Sequence, residues 1–155
     1  MPEKVDVKAV EAILYGVYKA LDKLAGASAP AIMRQAAPDI LTEFGKLGVD
    51  FSCVDDIDKL QAKLGETVKN AGLCDDITFQ LADGKLTASI RGCSFFQLTQ
   101  DLKKENIEPF GCPFAALTIA LAERNLGKRA KVLELHPTEG GAEGDTTLVV
   151  ELHEK

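Results

Sequence analysis

The chain has 155 residues, of which 46% are hydrophobic and 27% are charged, and its formal net charge is -6. This length suits one domain with a buried core, which we place over residues 1–155. The negative charge balance disfavours nucleic-acid binding, because phosphate contacts need a basic face. No apolar run approaches the ~20 residues of a membrane span. Four cysteines without an export signal indicate free thiols in a reducing cytoplasm.

The first half of the chain has the apolar periodicity of three helices. Apolar residues recur at three- and four-residue steps over about Val5–Leu24, which predicts an amphipathic helix. The same spacing predicts a second helix over about Ser28–Phe44. A third helix is predicted to begin at about Ile57, with Asp55 or Asp56 as its N-cap, and to end around Asn70 to Gly72.

The period of the apolar residues then changes from 3.6 to 2, which indicates strands. Alternating apolar residues lie on both sides of an Asp-Gly turn at 83–84, a strong hairpin signal. In this hairpin Leu81 is predicted to face Leu86, and Ile77 is predicted to face Ile90.

A helix with a marked start and end follows a short helix or turn over Ser94–Lys104. Cys112 stands at its start, before a proline that tolerates the first helical position, and Gly127 ends it. Closing strands are predicted over Ala130–His136 and Thr146–Leu152. The predicted fold class is α+β: N-terminal helices, then two antiparallel hairpins in one sheet, with the capped helix between them.

Three segments of the second half have a resemblance to a known family: GLCDDITFQLADGKLTASIRGC, GCPFAALTIALAERNLGKRAKVLEL and EGDTTLVVEL. In that order they resemble the 4-vinyl reductase domain and its relatives, the small subunits of the transport-particle tethering complex. Such proteins have paired N-terminal helices, a hairpin, a helix with a cysteine near its start, a Leu-Gly-Lys turn and a closing hairpin with Gly-Asp. In this chain the turn falls at 126–128 and the Gly-Asp pair at 144–145.

The resemblance implies a non-enzymatic module that binds a small apolar molecule as a sensor, carrier or accessory protein. It also implies a homodimer that forms through the first helices. An alternative within the same resemblance is a dimeric scaffold of the transport-particle type. Some vinyl reductase domains hold zinc near the last hairpin, but there this chain has Leu135, His136 and Thr146, so such a zinc site is not expected.

The predicted ligand site is a cluster of phenylalanines around a cysteine, since apolar ligand sites are lined mostly by aromatic and aliphatic groups. Its residues are Phe95, Phe96, Phe110, Cys112 and Phe114. The alternative is that these rings are plain core. Cys112 at a helix start is either a thiol of lowered pKa that contacts the ligand, or a buried and inert cap.

The third hypothesis is a thiol- or metal-dependent redox protein that uses Cys93 and Cys112. The chain has four cysteines and no CxxC pair: Cys53, Cys74, Cys93 and Cys112. A metal site is therefore disfavoured, and its weak candidates are Cys93, Cys112 and His136, if the fold brings them together. His136 is predicted on the strand face opposite Leu133 and Leu135, which should face the core. The chain has no hydrolase, zinc-protease or P-loop motif, so we expect no catalytic residue and name no cofactor.

Overall fold

The structure, a computed structural model, describes residues 6–107 and 112–155. In these ranges the chain forms five α-helices and one four-stranded sheet, which confirms the predicted α+β class. None of the helices there has the length and apolar character that a membrane span requires. The elements are α1 (Val7–Ala25), α2 (Ala29–Lys46), α3 (Ile57–Asn70), β1 (Asp76–Ala82), β2 (Lys85–Arg91), α4 (Phe96–Lys104), α5 (Pro113–Asn125), β3 (Lys128–Pro137) and β4 (Thr146–Glu154).

The sheet has the strand order β1-β2-β4-β3, and every neighbouring pair is antiparallel. The first hairpin has the predicted register, with Leu81 opposite Leu86 and Ile77 opposite Ile90. Both turn residues, Asp83 and Gly84, have positive φ angles of 51° and 72°. This conformation matches the twist of the flanking strands and fixes the register.

The closing hairpin differs from the prediction at one residue. The register of β3 against β4 shifts between Val132 and Glu134, so Leu133 is an extra residue in β3. Leu133 is 38% exposed, whereas Leu135 is 4% exposed. The prediction that both leucines face the core is therefore wrong for Leu133, because a bulge breaks the two-residue alternation of side chains.

Helix α5 is the centre of the main core, where it packs against α2, α3 and β3. All nine residues from 114 to 122 are buried, as expected for a helix surrounded by other elements. As predicted, Cys112 is the N-cap residue and Pro113 follows it, and Gly127 has a positive φ of 63° just after the helix.

Helix α1 belongs to a smaller core and is attached mainly to α4. Tyr18 is its only buried residue, and it packs with Leu98, Leu102 and Ile107. At the surface Glu105 forms an ion pair with Lys19, with 2.8 Å between Nζ and the carboxylate, and accepts a hydrogen bond from the hydroxyl of Tyr15. The other residues of α1 are half-buried or exposed.

Candidate functional site

The structure brings the described members of the predicted phenylalanine site to one region. Phe114 is fully buried in the main core, and Cys112 belongs to the same cluster. Phe95 and Phe96, at the start of α4, are half-buried and pack against that cluster. Phe110 lies outside the described residues.

A small cavity lies between Phe95, Cys112 and the buried side of α1, where Leu14 and Tyr18 line it. Its volume is about 10 Å³. A single water needs about this much space, whereas ligand pockets measure roughly 300–1,000 Å³. The described part of the predicted site therefore has room for one water molecule.

Burial controls the chemistry of Cys112. It raises the pKa of this thiol to about 12, although the backbone N–H groups of Ala115 and Phe114 act in the opposite direction. The first turn of α5 thus favours the thiolate, as the position of Cys112 at a helix start implies. The loss of solvation on burial has the larger effect on the pKa. At neutral pH the thiol stays protonated.

Cys93 is buried beside the closing hairpin, and its backbone N–H donates to the carbonyl of Gly144 over 2.8 Å. Burial raises its pKa, while the N–H of Phe95 and the hydroxyl of Thr146 lower it and the charge of Glu11 raises it. Within the described ranges the buried Thr146 hydroxyl has no hydrogen-bond partner of normal geometry, so its contact with the Cys93 sulfur is loose. Cys93, like Cys112, thus has polar groups nearby that favour its thiolate.

Cys74 is a third buried thiol of the same region and is not among the predicted site residues. Burial and the neighbouring Cys93 raise its pKa to about 11. Cys93 also raises the pKa of Cys112, so it lies within electrostatic reach of both other thiols. The predicted first hairpin already indicates that Cys74 comes near Cys93, because each lies two residues beyond the paired residues Asp76 and Arg91.

The weak metal candidates do not form one group. The imidazole of His136 lies 3.2 Å from the carboxylate of Glu134 and 2.8 Å from the carbonyl of Pro137, on the edge strand β3. Cys53 is exposed in the loop after α2. Over residues 6–107 and 112–155, no three His, Cys, Asp or Glu side chains are arranged to hold a metal ion.

A groove of about 940 Å³ lies between α1 and α4, with Glu143 of the β3–β4 loop at its border. Its charged lining residues are four acids and two lysines: Glu11, Asp101, Glu105, Glu143, Lys8 and Lys104. Glu105 and Asp101 already have partners in Lys19, Gln97 and Lys104. No local sequence pattern indicates this groove, because its two walls are far apart along the chain.

Helix α1 also presents apolar residues to solvent. Leu24 is 85% exposed, Ile13 68% and Val17 47%, and the half-buried Val10 and Leu21 lie on the same side of the helix. We call these five residues the α1 apolar face. Contiguous exposed apolar surface of this kind marks interaction sites in folded proteins.

Comparison with known proteins gives one family. A family model described as "Putative rubredoxin C-terminal domain" (RdxA_C) matches residues 10–144. No curated protein matches the chain significantly. Neither finding supports a relation to the 4-vinyl reductase domain or to the transport-particle subunits.

Proposed function

Because the chain belongs to the RdxA_C family, we propose that it is a non-enzymatic interaction domain that works alongside a rubredoxin-type redox protein. In this proposal residues 1–155 are one domain, which associates with a second copy of itself through the α1 apolar face. Its four free thiols suit a reducing compartment, so we place its action in the cytoplasm.

The cysteines of this chain do not fit an iron site of four thiolates. Such a site needs four sulfurs in a tetrahedron around the metal. Cys53 is exposed, whereas the other three cysteines are buried in the main core. Burial also raises the pKa values of Cys74, Cys93 and Cys112, which opposes the thiolate that a metal requires. We therefore assign the metal chemistry to the partner protein.

The observation that carries the proposal is the exposure of the α1 apolar face. An amphipathic helix normally turns its apolar side to the core, but here Ile13, Val17 and Leu24 face solvent. Burial of apolar surface is worth roughly 25 cal/mol per Å². Covering this face with another protein surface therefore supplies a driving force for association.

The spacing of the face favours a second copy as its partner. From Val10 the apolar residues follow at steps of three, four, four and three, through Ile13, Val17 and Leu21 to Leu24. This spacing reads the same in both directions from Val17, so two antiparallel copies of α1 present matching surfaces. A two-fold interface requires such self-complementarity.

The decisive measurement is the mass of the protein in solution by light scattering over a concentration series. The wild-type chain should be a dimer. Ile13→Glu should weaken dimerisation at least ~30-fold, because each substitution occurs twice in a two-fold interface. Ala12→Glu is the matched control, since it adds the same charge at the neighbouring, also exposed residue outside the apolar face.

Two results would contradict self-association through α1. One is a wild-type chain that stays monomeric at the highest concentration reached. The other is equal weakening by Ile13→Glu and Ala12→Glu. Circular dichroism checks that both variants keep their helices, which we expect because α1 is held through Tyr18.

A second proposal is that the region around Phe95 and Cys112 binds a small apolar molecule. The supporting observation is that the small cavity has these two predicted residues in its wall; its volume of about 10 Å³ would have to increase for a ligand to enter. The ligand site would consist of Phe95, Phe96, Phe110, Cys112 and Phe114. Native mass spectrometry of freshly purified protein tests it: an added mass that is lost on denaturation supports a ligand, and a bare chain contradicts it.

A further inference from the structure

The first hairpin brings two buried thiols together at its base. We propose that Cys74 and Cys93 are a redox-sensitive pair that a small hydroperoxide converts into a disulfide. The bond would close a loop of 20 residues and fasten the two strands where they meet the start of α4.

The hairpin brings the two cysteines together just beyond its last paired residues, Asp76 and Arg91. The N–H of Asp75 donates to the carbonyl of Arg91, and the N–H of Ser94 donates to that of Leu73. Between these two bonds Cys74 therefore lies across from Gly92 and Cys93 together. A disulfide needs Cβ atoms about 3.5–4.5 Å apart, so the two chain segments have to approach each other for the bond to form.

Backbone hydrogen bonds hold the strands on both sides of the cysteine pair. The N–H of Asp75 donates to the carbonyl of Arg91 over 3.0 Å, and the N–H of Ser94 donates to the carbonyl of Leu73 over 2.9 Å. The hydroxyl of Ser94 also donates to the carbonyl of Gly72 over 3.0 Å. The two cysteines are thus held between cross-strand bonds, although they lie beyond the last paired residues of β1 and β2.

Gly92, beside Cys93, shows how closely the strands approach here. Its φ is 63°, and a Cβ at this position would lie 2.2 Å from the carboxylate of Asp75. A side chain at Gly92 would therefore displace the side chain of Asp75. The glycine leaves room for the two chain segments to lie side by side here.

The surroundings of the thiols determine which oxidant can act. Cys74 and Cys93 are only 7% and 8% exposed, which excludes direct attack by a protein disulfide. Two hydrogen-bonding groups, the Phe95 N–H and the Thr146 hydroxyl, favour the thiolate of Cys93, whereas the group that favours the thiolate of Cys74 is the charge of Lys69. Cys93 is therefore the attacking thiol, and a hydroperoxide is small enough to reach it.

The reaction balances as two thiols and one hydrogen peroxide giving one disulfide and two waters. The Cys93 sulfur attacks one peroxide oxygen, the O–O bond breaks, and a sulfenic acid and the first water result. The Cys74 sulfur then attacks the sulfenic sulfur and releases the second water. The two thiols lose two electrons, and the peroxide gains them.

Cys112 is the competing partner, since Cys93 also lies within electrostatic reach of it. Cys112 is the N-cap residue of α5, and no strand register places it opposite Cys93. A bond from Cys93 to Cys112 would have to move a helix start that packs in the main core. We therefore expect Cys74 to react first.

The test is peptide mapping of the reduced full-length chain after treatment with hydrogen peroxide. Each of the four cysteines lies on its own tryptic peptide, so the partner of Cys93 can be read directly. The expected product has lost about 2 Da and links peptide 70–85 to peptide 92–103. Its thermal midpoint should rise by ~6–12 °C, because the bond restricts the unfolded chain.

Cys74→Ala should abolish the mass loss, and Cys53→Ser should retain it as the matched control at an exposed cysteine. If Cys74→Ala does not fold, the peptide map of the wild type still decides. A link from Cys93 to Cys112, or sulfinic acid on Cys93 without any link, would overturn the proposal. So would thiols that stay reduced in the folded chain.

Discussion

Phe114 distinguishes a core from a ligand pocket, because the two interpretations predict different costs for removing its ring. The side chain is fully buried in the first turn of α5. Phe114→Ala removes the ring from the middle of a packed core, which typically costs about 3–5 kcal/mol. For a chain of this size this corresponds to a fall of ~6–20 °C in the thermal midpoint.

The matched control is Phe96→Ala at the start of α4, where the ring is half-buried. It removes the same atoms but less buried surface, so we expect a cost of about 1–2 kcal/mol. Urea unfolding followed by circular dichroism measures both variants. The slope of the unfolding free energy against urea concentration should not change, because the folded state stays compact.

Equal costs for Phe114→Ala and Phe96→Ala would refute this reasoning. They would mean that the Phe114 ring contributes no more to stability than the half-buried ring of Phe96. A variant that keeps its stability but loses a ligand in native mass spectrometry would favour the pocket. The unfolding curve and the mass spectrum together therefore decide between the two interpretations of the phenylalanine cluster.

Two further predictions concern the surface and the loops. Glu105→Gln removes the charge that pairs with Lys19 and should speed hydrogen exchange in α1. Lys19 lowers the pKa of Glu105 in the folded chain. The pair therefore stabilises the fold above about pH 4.3, the ordinary carboxyl pKa, and this stabilisation is lost as the pH falls through the lower pKa of the folded state. A difference in hydrogen exchange between Glu105→Gln and the wild type that persists at far lower pH would contradict this origin. Gly144→Ala should cost more stability than Gly140→Ala in urea, because both residues have positive φ but only at Gly144 would a Cβ meet backbone, 3.3 Å from the Cα of Gly92. Gly140→Ala should lose just the ~1–2 kcal/mol that a left-handed backbone costs a residue with a side chain. Equal losses of stability in the two variants would refute the contact at Gly144.

The sequence alone determined the elements and the first hairpin. Helix limits follow from apolar spacing and from local signals such as Asp56, whose carboxylate accepts from the N–H of Lys59 over 2.7 Å. The Asp-Gly turn fixed the register of β1 and β2. All of these depend on residues within a few positions of one another, so a local pattern is enough to predict them.

The tertiary structure decided the features that depend on distant parts of the chain. The bulge at Leu133 depends on how β3 fits β4, and a two-residue pattern does not show it. The protonation of Cys112 depends on the core around α5, whose desolvation exceeds the effect of the helix start. The α1 apolar face is exposed because α1 packs against α4 through few of its residues. An apolar stripe predicts a helix but not what covers it, because the partner surface lies elsewhere in the chain or on another molecule.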